Sequence, residues 1–314
     1  MKTPSTLSQI VLLTLVFLAF ACSEPEIPVH QNPSSPTSQN VDKLNSNTRG
    51  IEQAAVVTEA MFDDFNYVSS SDPRLGANLW SVRSGKGGPG PRGCSWSTAN
   101  VTFVSDPVNS SNKLMRLTSS TKGTARSTSQ AEILTPMKYF EGTYAARVKF
   151  SDTPATGTDG GQVVQTFFTI SPYNAGDPLY SELDFEYLSN GGWGVTGPTL
   201  WNTSWNSTTV RTSSSSNQSY NGWNDLVMVV SGGVVNYYVN GILKASHTGI
   251  YYPRRTMQID FNQWFIDARG PAGTYVEDVD WVYHAKNTVL TTAEVNAIVS
   301  DYRTQSVTFT DNVQ

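Results

Sequence analysis

Hydrophobic and polar positions divide the chain into four stretches. An apolar run from about Ile10 to Ala21 follows Lys2. It is too short to span a bilayer and suits the core of a signal peptide. Residues 23 to about 58 show no periodicity. They are rich in Ser, Pro, Asn and Gln, which predicts a flexible tether. From Met61 to about Ala285 the chain becomes a series of short β-type runs: Ala99–Val104, Lys113–Thr118, Glu141–Ser151, Gln162–Ile170 and Ser181–Leu188. Asp225–Ser231 and Val234–Val239 are joined by Gly232-Gly233, and Ile242–Ser246 follows Asn240-Gly241, a strong hairpin signal. Such spacing predicts an all-β sandwich of two antiparallel sheets, a jelly roll. In the last segment, Thr291-Thr292 ahead of Ala293–Arg303 predicts a capped helix. Its Val295, Ile298, Val299 and Tyr302 share one face, so it should pack outside the sandwich.

One run breaks the usual pattern. In "YSELDFEYLSNGGW", residues 180–193, the acids Glu182, Asp184 and Glu186 alternate with Leu183, Phe185 and Tyr187. On a strand the apolar set makes a core face and the acids point the other way. Like charges stacked together are destabilising, and a merely solvated face would mix signs. Tyr180, Trp193, Trp201 and Trp205 are close in sequence.

Composition and charge narrow the field. The chain has 314 residues and a formal charge of −5. An acidic balance argues against nucleic acid, whose phosphates need a basic surface. Only His30, His247 and His284 are present, which excludes an HExxH site and most imidazole metal centres. There is no Gly-x-Ser-x-Gly elbow and no P-loop. The two cysteines are Cys22 and Cys94. Ala19-Phe20-Ala21-Cys22 resembles a bacterial lipobox, which would make Cys22 the lipidated first residue and hold the protein at a membrane by acyl chains alone. An ordinary signal peptide with a chance cysteine is the other reading. The expected organisation is a signal peptide over 1–21, a tether over 22–58, a catalytic jelly roll over 59–286, and a helix and tail over 287–314. The expected address is the bacterial cell envelope, at the outer membrane and open to surface display.

The acid triplet suits one chemistry. Retaining glycoside hydrolysis uses two carboxyls about 5–5.5 Å apart, one as nucleophile and one as acid/base. Glu182 and Glu186 have Cα atoms about 13 Å apart along a strand, and long side chains leaning inward can close most of that. Three close acids cannot all ionise near neutral pH, so at least one keeps a proton for a leaving group.

The motif "ELDFEYL" resembles the Glu-x-Asp-x-Glu signature of glycoside hydrolase family 16, in its form without a β-bulge. "CSWSTANV" (94–101), "AEILT" (131–135), "FEGTYAARVKF" (140–150), "QTFFTI" (165–170), "NYYVNGILKASH" (236–247), "MQIDFNQWF" (257–265) and "VEDVDWVYHAK" (276–286) resemble further stretches of that family, in order. The resemblance covers about residues 61–286 and implies a concanavalin-like jelly roll. It implies Glu182 as nucleophile, Asp184 as its assistant and Glu186 as acid/base. It also implies substrate-binding roles for Glu132, Tyr180, Asn202, Trp205, Trp264 and Trp96, although a lone strand Glu can be merely solvated and each Trp could instead serve the core. Trp281, on a closing strand, reads as core. No cofactor is required. Asp280 matches a position that helps hold a structural calcium in some members, and a solvated or hydrogen-bonded Asp is the alternative.

Three departures bear on the groove. The family's lichenases pair the cysteine equivalent to Cys94 with one where this chain has Gln130. Their groove asparagine is Gly93 here. The link "SNGGWGVTGP" (189–198) is longer and richer in Gly. The expected function is therefore a retaining endo-glycosidase on a β-linked polysaccharide, with β-1,3-1,4- or β-1,3-glucan as first choice, acting as a monomer. A transglycosylase on the same glycans and a non-catalytic lectin-like jelly roll are the competing readings.

Overall fold

The computed structural model describes residues 56–314. The apolar N-terminal run, Cys22 and the tether up to residue 55 lie outside the described residues. In chain order the main strands begin with β1 (Ala60–Asp63), β2 (Val101–Ser105), β3 (Lys113–Thr121), β4 (Ser129–Leu134) and β5 (Gly142–Phe150). They continue with β6 (Val163–Ile170), β7 (Glu182–Leu188), β8 (Thr199–Trp205), β9 (Arg211–Ser216) and β10 (Gly222–Ser231). The last are β11 (Val234–Val239), β12 (Ile242–Thr248), β13 (Gln258–Phe265), β14 (Gly273–Lys286) and β15 (Phe309–Asp311).

They form two antiparallel layers, as the strand spacing predicts. The front sheet runs β4-β13-β6-β7-β8-β9. The back sheet runs β12-β11-β10-β5-β14. Beyond β14 its two halves pair with β3 and β1, which carry β2 and β15 at their outer edges. Both predicted two-residue turns exist: Gly232-Gly233 and Asn240-Gly241 all have positive φ, as hairpins with primed turns require.

The core lies between the layers and comes from the inward half of each alternating pattern. On β7, Leu183, Phe185 and Tyr187 are fully buried. Phe185 meets the Tyr237 edge of β11 at 5.2 Å, and Tyr187 stacks on Phe150 of β5 at 4.9 Å. Burying one such side chain stabilises the fold by roughly 1.5–3 kcal/mol. These three residues hold β7 in one register, because a slip of one position would turn its acids into the core.

The predicted C-terminal helix spans Thr292–Thr304. Thr291 caps it: its hydroxyl accepts from the Glu294 amide at 3.3 Å, and the Glu294 carboxylate accepts from the Thr291 amide at 2.7 Å. Val295 and Val299 pack outside the sandwich, in an apolar cluster with Phe62, Trp281 and Tyr283 of the back sheet. Tyr302 stacks on Phe62 at 4.9 Å.

At the start of β5 two chain segments leave no room for a side chain. Gly142 has φ +128, and a Cβ there would lie 1.9 Å from the Ala285 carbonyl oxygen of β14. Gly142→Ala is expected to lower stability by more than about 2 kcal/mol, since both the backbone angle and the strand contact are violated. Urea unfolding checks this; an unchanged midpoint would contradict the assigned β5–β14 contact.

Candidate functional site

The outward face of the front sheet lines a groove of about 780 Å³ that runs across the strands. From one end to the other its floor includes Glu132 (β4), Asp260 (β13), Phe168 (β6), Asp184 (β7), Thr203 (β8) and Ser213 (β9). The period-two pattern of β7 places Glu182, Asp184 and Glu186 together on this floor. Their register partners on β8 are Trp205, Thr203 and Trp201.

Each acid has a distinct setting. Glu182 accepts a hydrogen bond from the Tyr180 hydroxyl. Tyr180 is held in turn by Arg254, which donates to its carbonyl oxygen and to that of Asn206. Asp184 is 2% exposed, and its Oδ2 accepts from Trp205 Nε1 at 2.7 Å. No protein hydrogen bond reaches the Glu186 carboxyl among the described residues, so it is free to meet a ligand.

Burial raises all three. It lifts Glu182 to about 7, against opposing hydrogen bonds from Tyr180 and Asp184 and the Arg211 charge. It lifts Glu186 to about 8, with the Glu182 charge adding and Arg211 opposing. Burial, then the charges of Glu182 and Glu186, hold Asp184 well above the usual carboxylate range. A neutral Asp184 can donate to Glu182 and favour its anion. The acids therefore titrate as a coupled set that keeps at least one proton near neutral pH.

Most other candidates reach the groove. Tyr180, Trp205, Trp264 and Glu132 line it. Trp264 forms a wall with Trp193, at 6.0 Å, and Trp193 meets Trp201 edge-on at 6.5 Å. Trp193 itself sits at φ +50 within the Gly-rich link. Glu132 is paired with Arg83 Nη1 at 2.7 Å.

Three expectations are corrected. Asn202 is not a groove residue. It pairs in register with Phe185, is 1% exposed and does not line the groove. Its strand neighbours Trp201 and Thr203 face out, so Asn202 faces the other sheet. Trp96 is core, at 2% exposed. Its Nε1 donates to the Gly87 carbonyl at 2.8 Å, and the Arg83 guanidinium covers its ring at 4.3 Å. It supports Arg83 and does not line the groove. Asp280 does not fit a calcium site. It occupies a bulge in β14, opposite β5. Its carboxylate accepts from Arg303 at 2.7 Å and Asn112 at 2.8 Å, with Arg147 at 3.7 Å. Two guanidinium groups stand where calcium would need oxygen ligands. No cluster of three or more His, Cys, Asp or Glu side chains suited to a metal occurs among the described residues.

Cys94 is a free, buried thiol. Where the resemblance would give a disulfide, Gln130 holds the loop instead, its Nε2 donating to the Pro89 carbonyl at 3.2 Å.

Several lining residues were not anticipated. Asp260 and Asn262 were legible: Gln258, Asp260, Asn262 and Trp264 alternate with Ile259, Phe261 and Phe265, as the acids of β7 alternate with their core partners. Arg83 and Arg211 carry no comparable signal. Arg211 lies over the Trp205 ring at 4.6 Å.

Structural comparison places this arrangement among known folds. The Bacillus licheniformis β-glucanase aligns with a TM-score of 0.54 and 20% identity, over 73% of this chain and 99% of its own. A glycoside hydrolase family 16 endo-glucanase from Bacteroides ovatus aligns at 0.52 and 14% identity, over 70% of this chain and 98% of its own. The laminarinase catalytic domain from Thermotoga maritima aligns at 0.53 and 14%, over 74% and 98%. No protein-family model matches the chain, and no curated protein matches it by sequence. At these identities the likeness establishes the jelly-roll fold.

The raised acids leave a trace in stability. Glu186 binds its proton more tightly folded (about 8) than in its ordinary state (4.5). Stability from this group is present below the ordinary value and is lost as pH rises toward the folded one. Glu186→Gln removes that loss. Urea unfolding should show the variant close to wild type at about pH 4 and more stable at about pH 8. A variant less stable at the higher pH would contradict the raised affinity of half-buried Glu186 for its proton.

Proposed function

We propose that this protein is a retaining endo-glycosidase that cleaves a β-linked glucan, with β-1,3-1,4- or β-1,3-linkages, by double displacement. The observation that carries the reading is geometric: Glu182 and Glu186 stand on one groove floor with Asp184 between them, and burial raises both carboxyls so that a proton is held near neutral pH. In the first step the Glu182 carboxylate attacks the anomeric carbon. The bond to the leaving oxygen breaks, and that oxygen takes the Glu186 proton. Asp184, held by Trp205, bonds the nucleophile and steadies its charge. In the second step Glu186, now ionised, takes a proton from water. The resulting hydroxide opens the glycosyl ester and frees Glu182.

The groove crosses the front sheet and is lined from β4 to β9. That suits attack inside a polymer over capture of a chain end. The Bacillus β-glucanase and the Thermotoga laminarinase share the fold, which supports a glucan as substrate class. We also propose that the lipobox at Ala19–Cys22 anchors the domain to the cell envelope.

Three measurements test these proposals. Product release from mixed-linkage glucan and laminarin should follow a bell-shaped pH profile. Its two limbs belong to the coupled Glu182–Glu186 pair, raised to about 7 and about 8. Glu182→Gln should reduce turnover by at least about a thousandfold with the fold intact. Retained turnover would sink the mechanism, and binding without cleavage by both proteins would make the domain a lectin. For the anchor, fatty-acid labelling of the expressed full chain should vanish in Cys22→Ala; labelling that persists would exclude Cys22.

A further inference from the structure

Of the buried floor carboxyls that double displacement leaves without a task, Asp260 keeps an oxygen unpartnered. Asp260 faces the groove from β13 and is 1% exposed. Its Oδ2 accepts from Gln258 Nε2 at 2.7 Å. Its Oδ1 is buried and has no hydrogen-bond partner. Leaving such an atom unpaired is destabilising, and a ligand group can supply the missing partner. Along the floor, Phe168 separates Asp260 from Asp184. Asn262 and Glu132, cross-strand partners on β13 and β4, lie on the far side. Burial and the Glu132 charge hold Asp260 well above the usual carboxylate range.

We propose that Asp260 is a specificity-determining residue: its unpartnered Oδ1 hydrogen-bonds a hydroxyl of the sugar seated between Glu182 and Glu132, and this position takes an uncharged sugar. The inference rests on reading the groove as a polysaccharide site. Charge decides the second half of it. A sulfate or uronate here would meet the carboxyl oxygens of Asp260 and Glu132, with no free cation beside them among the described residues. The cation lining this end is Arg83, and its guanidinium is already engaged by Glu132 and by the Gly88 carbonyl, each at 2.7 Å. Arg211 lies toward the opposite end, on β9, two strands beyond β7. The hydroxyl-rich face of a neutral hexose meets the free Oδ1 without adding charge to the acids.

Binding, not turnover, is the decisive readout. Calorimetry on the Glu182→Gln protein would use a mixed-linkage β-glucan tetrasaccharide, a β-1,3-glucan tetrasaccharide and a sulfated carrageenan tetrasaccharide. At least one neutral ligand should bind, with the sulfated one about tenfold weaker or more. Asp260→Ala in the same background should weaken the neutral ligand by about tenfold, the worth of one good hydrogen bond. If the alanine variant does not fold, Asp260→Ser takes its place, being polar but too short to reach the sugar. Unchanged affinity in these variants, tighter binding of the sulfated ligand, or no binding of either neutral one would overturn the proposal. A wild-type protein that cuts no polymer, while binding still responds to Asp260→Ala, would end the hydrolase reading and leave this one standing.

Discussion

The site depends on forcing like charges out of water on a single strand. Glu182, Asp184 and Glu186 would repel one another far less in the open, where solvent screens them. Here aromatic walls and the sheet floor remove that screening, so protons are retained that a surface carboxyl would lose. The opposite face of β7 makes this tolerable. Leu183, Phe185 and Tyr187 are buried against the back sheet, and their burial holds the acids in a position that electrostatics alone would reject. Chemistry and stability are thus opposed across the thickness of one strand.

Around that strand the supporting groups form a chain of fixed contacts. Arg254 holds Tyr180, and Tyr180 holds Glu182. Arg211 lies over Trp205, and Trp205 holds Asp184. Neither arginine belongs to the acid triplet, yet each fixes an aromatic that orients an acid. The Trp193 wall stands beyond Glu186, where a glycine-rich link lets that tryptophan adopt a left-handed backbone and reach Trp264.

How far the sequence exposes all this depends on whether a residue obeys the period-two rule. The strands, the hairpin turns and the capped helix were legible because each is written in local pattern. Asn202 was misread by following a family correspondence, although the outward tryptophans at 201 and 205 already implied that 202 points inward. Asp280 was beyond pattern, because a bulge interrupts the alternation of β14 there and its partner Arg303 comes from the C-terminal helix. Trp96 lies on a strand of two residues, Ser95–Trp96, too short to show a period. Arg83 and Arg211 gain meaning only from long-range packing, which no local window contains.

If the groove holds a glycan, as proposed, its direction sets the length of chain that it can seat. A chain lying in it crosses the strands instead of running along them, stepping about 4.8 Å from one strand to the next. From β4 to β9 the floor is therefore about 24 Å long. The sheet acts as a ruler whose divisions are its own strands. Adding or losing an edge strand would change the span of polymer recognised without touching the acids at its centre.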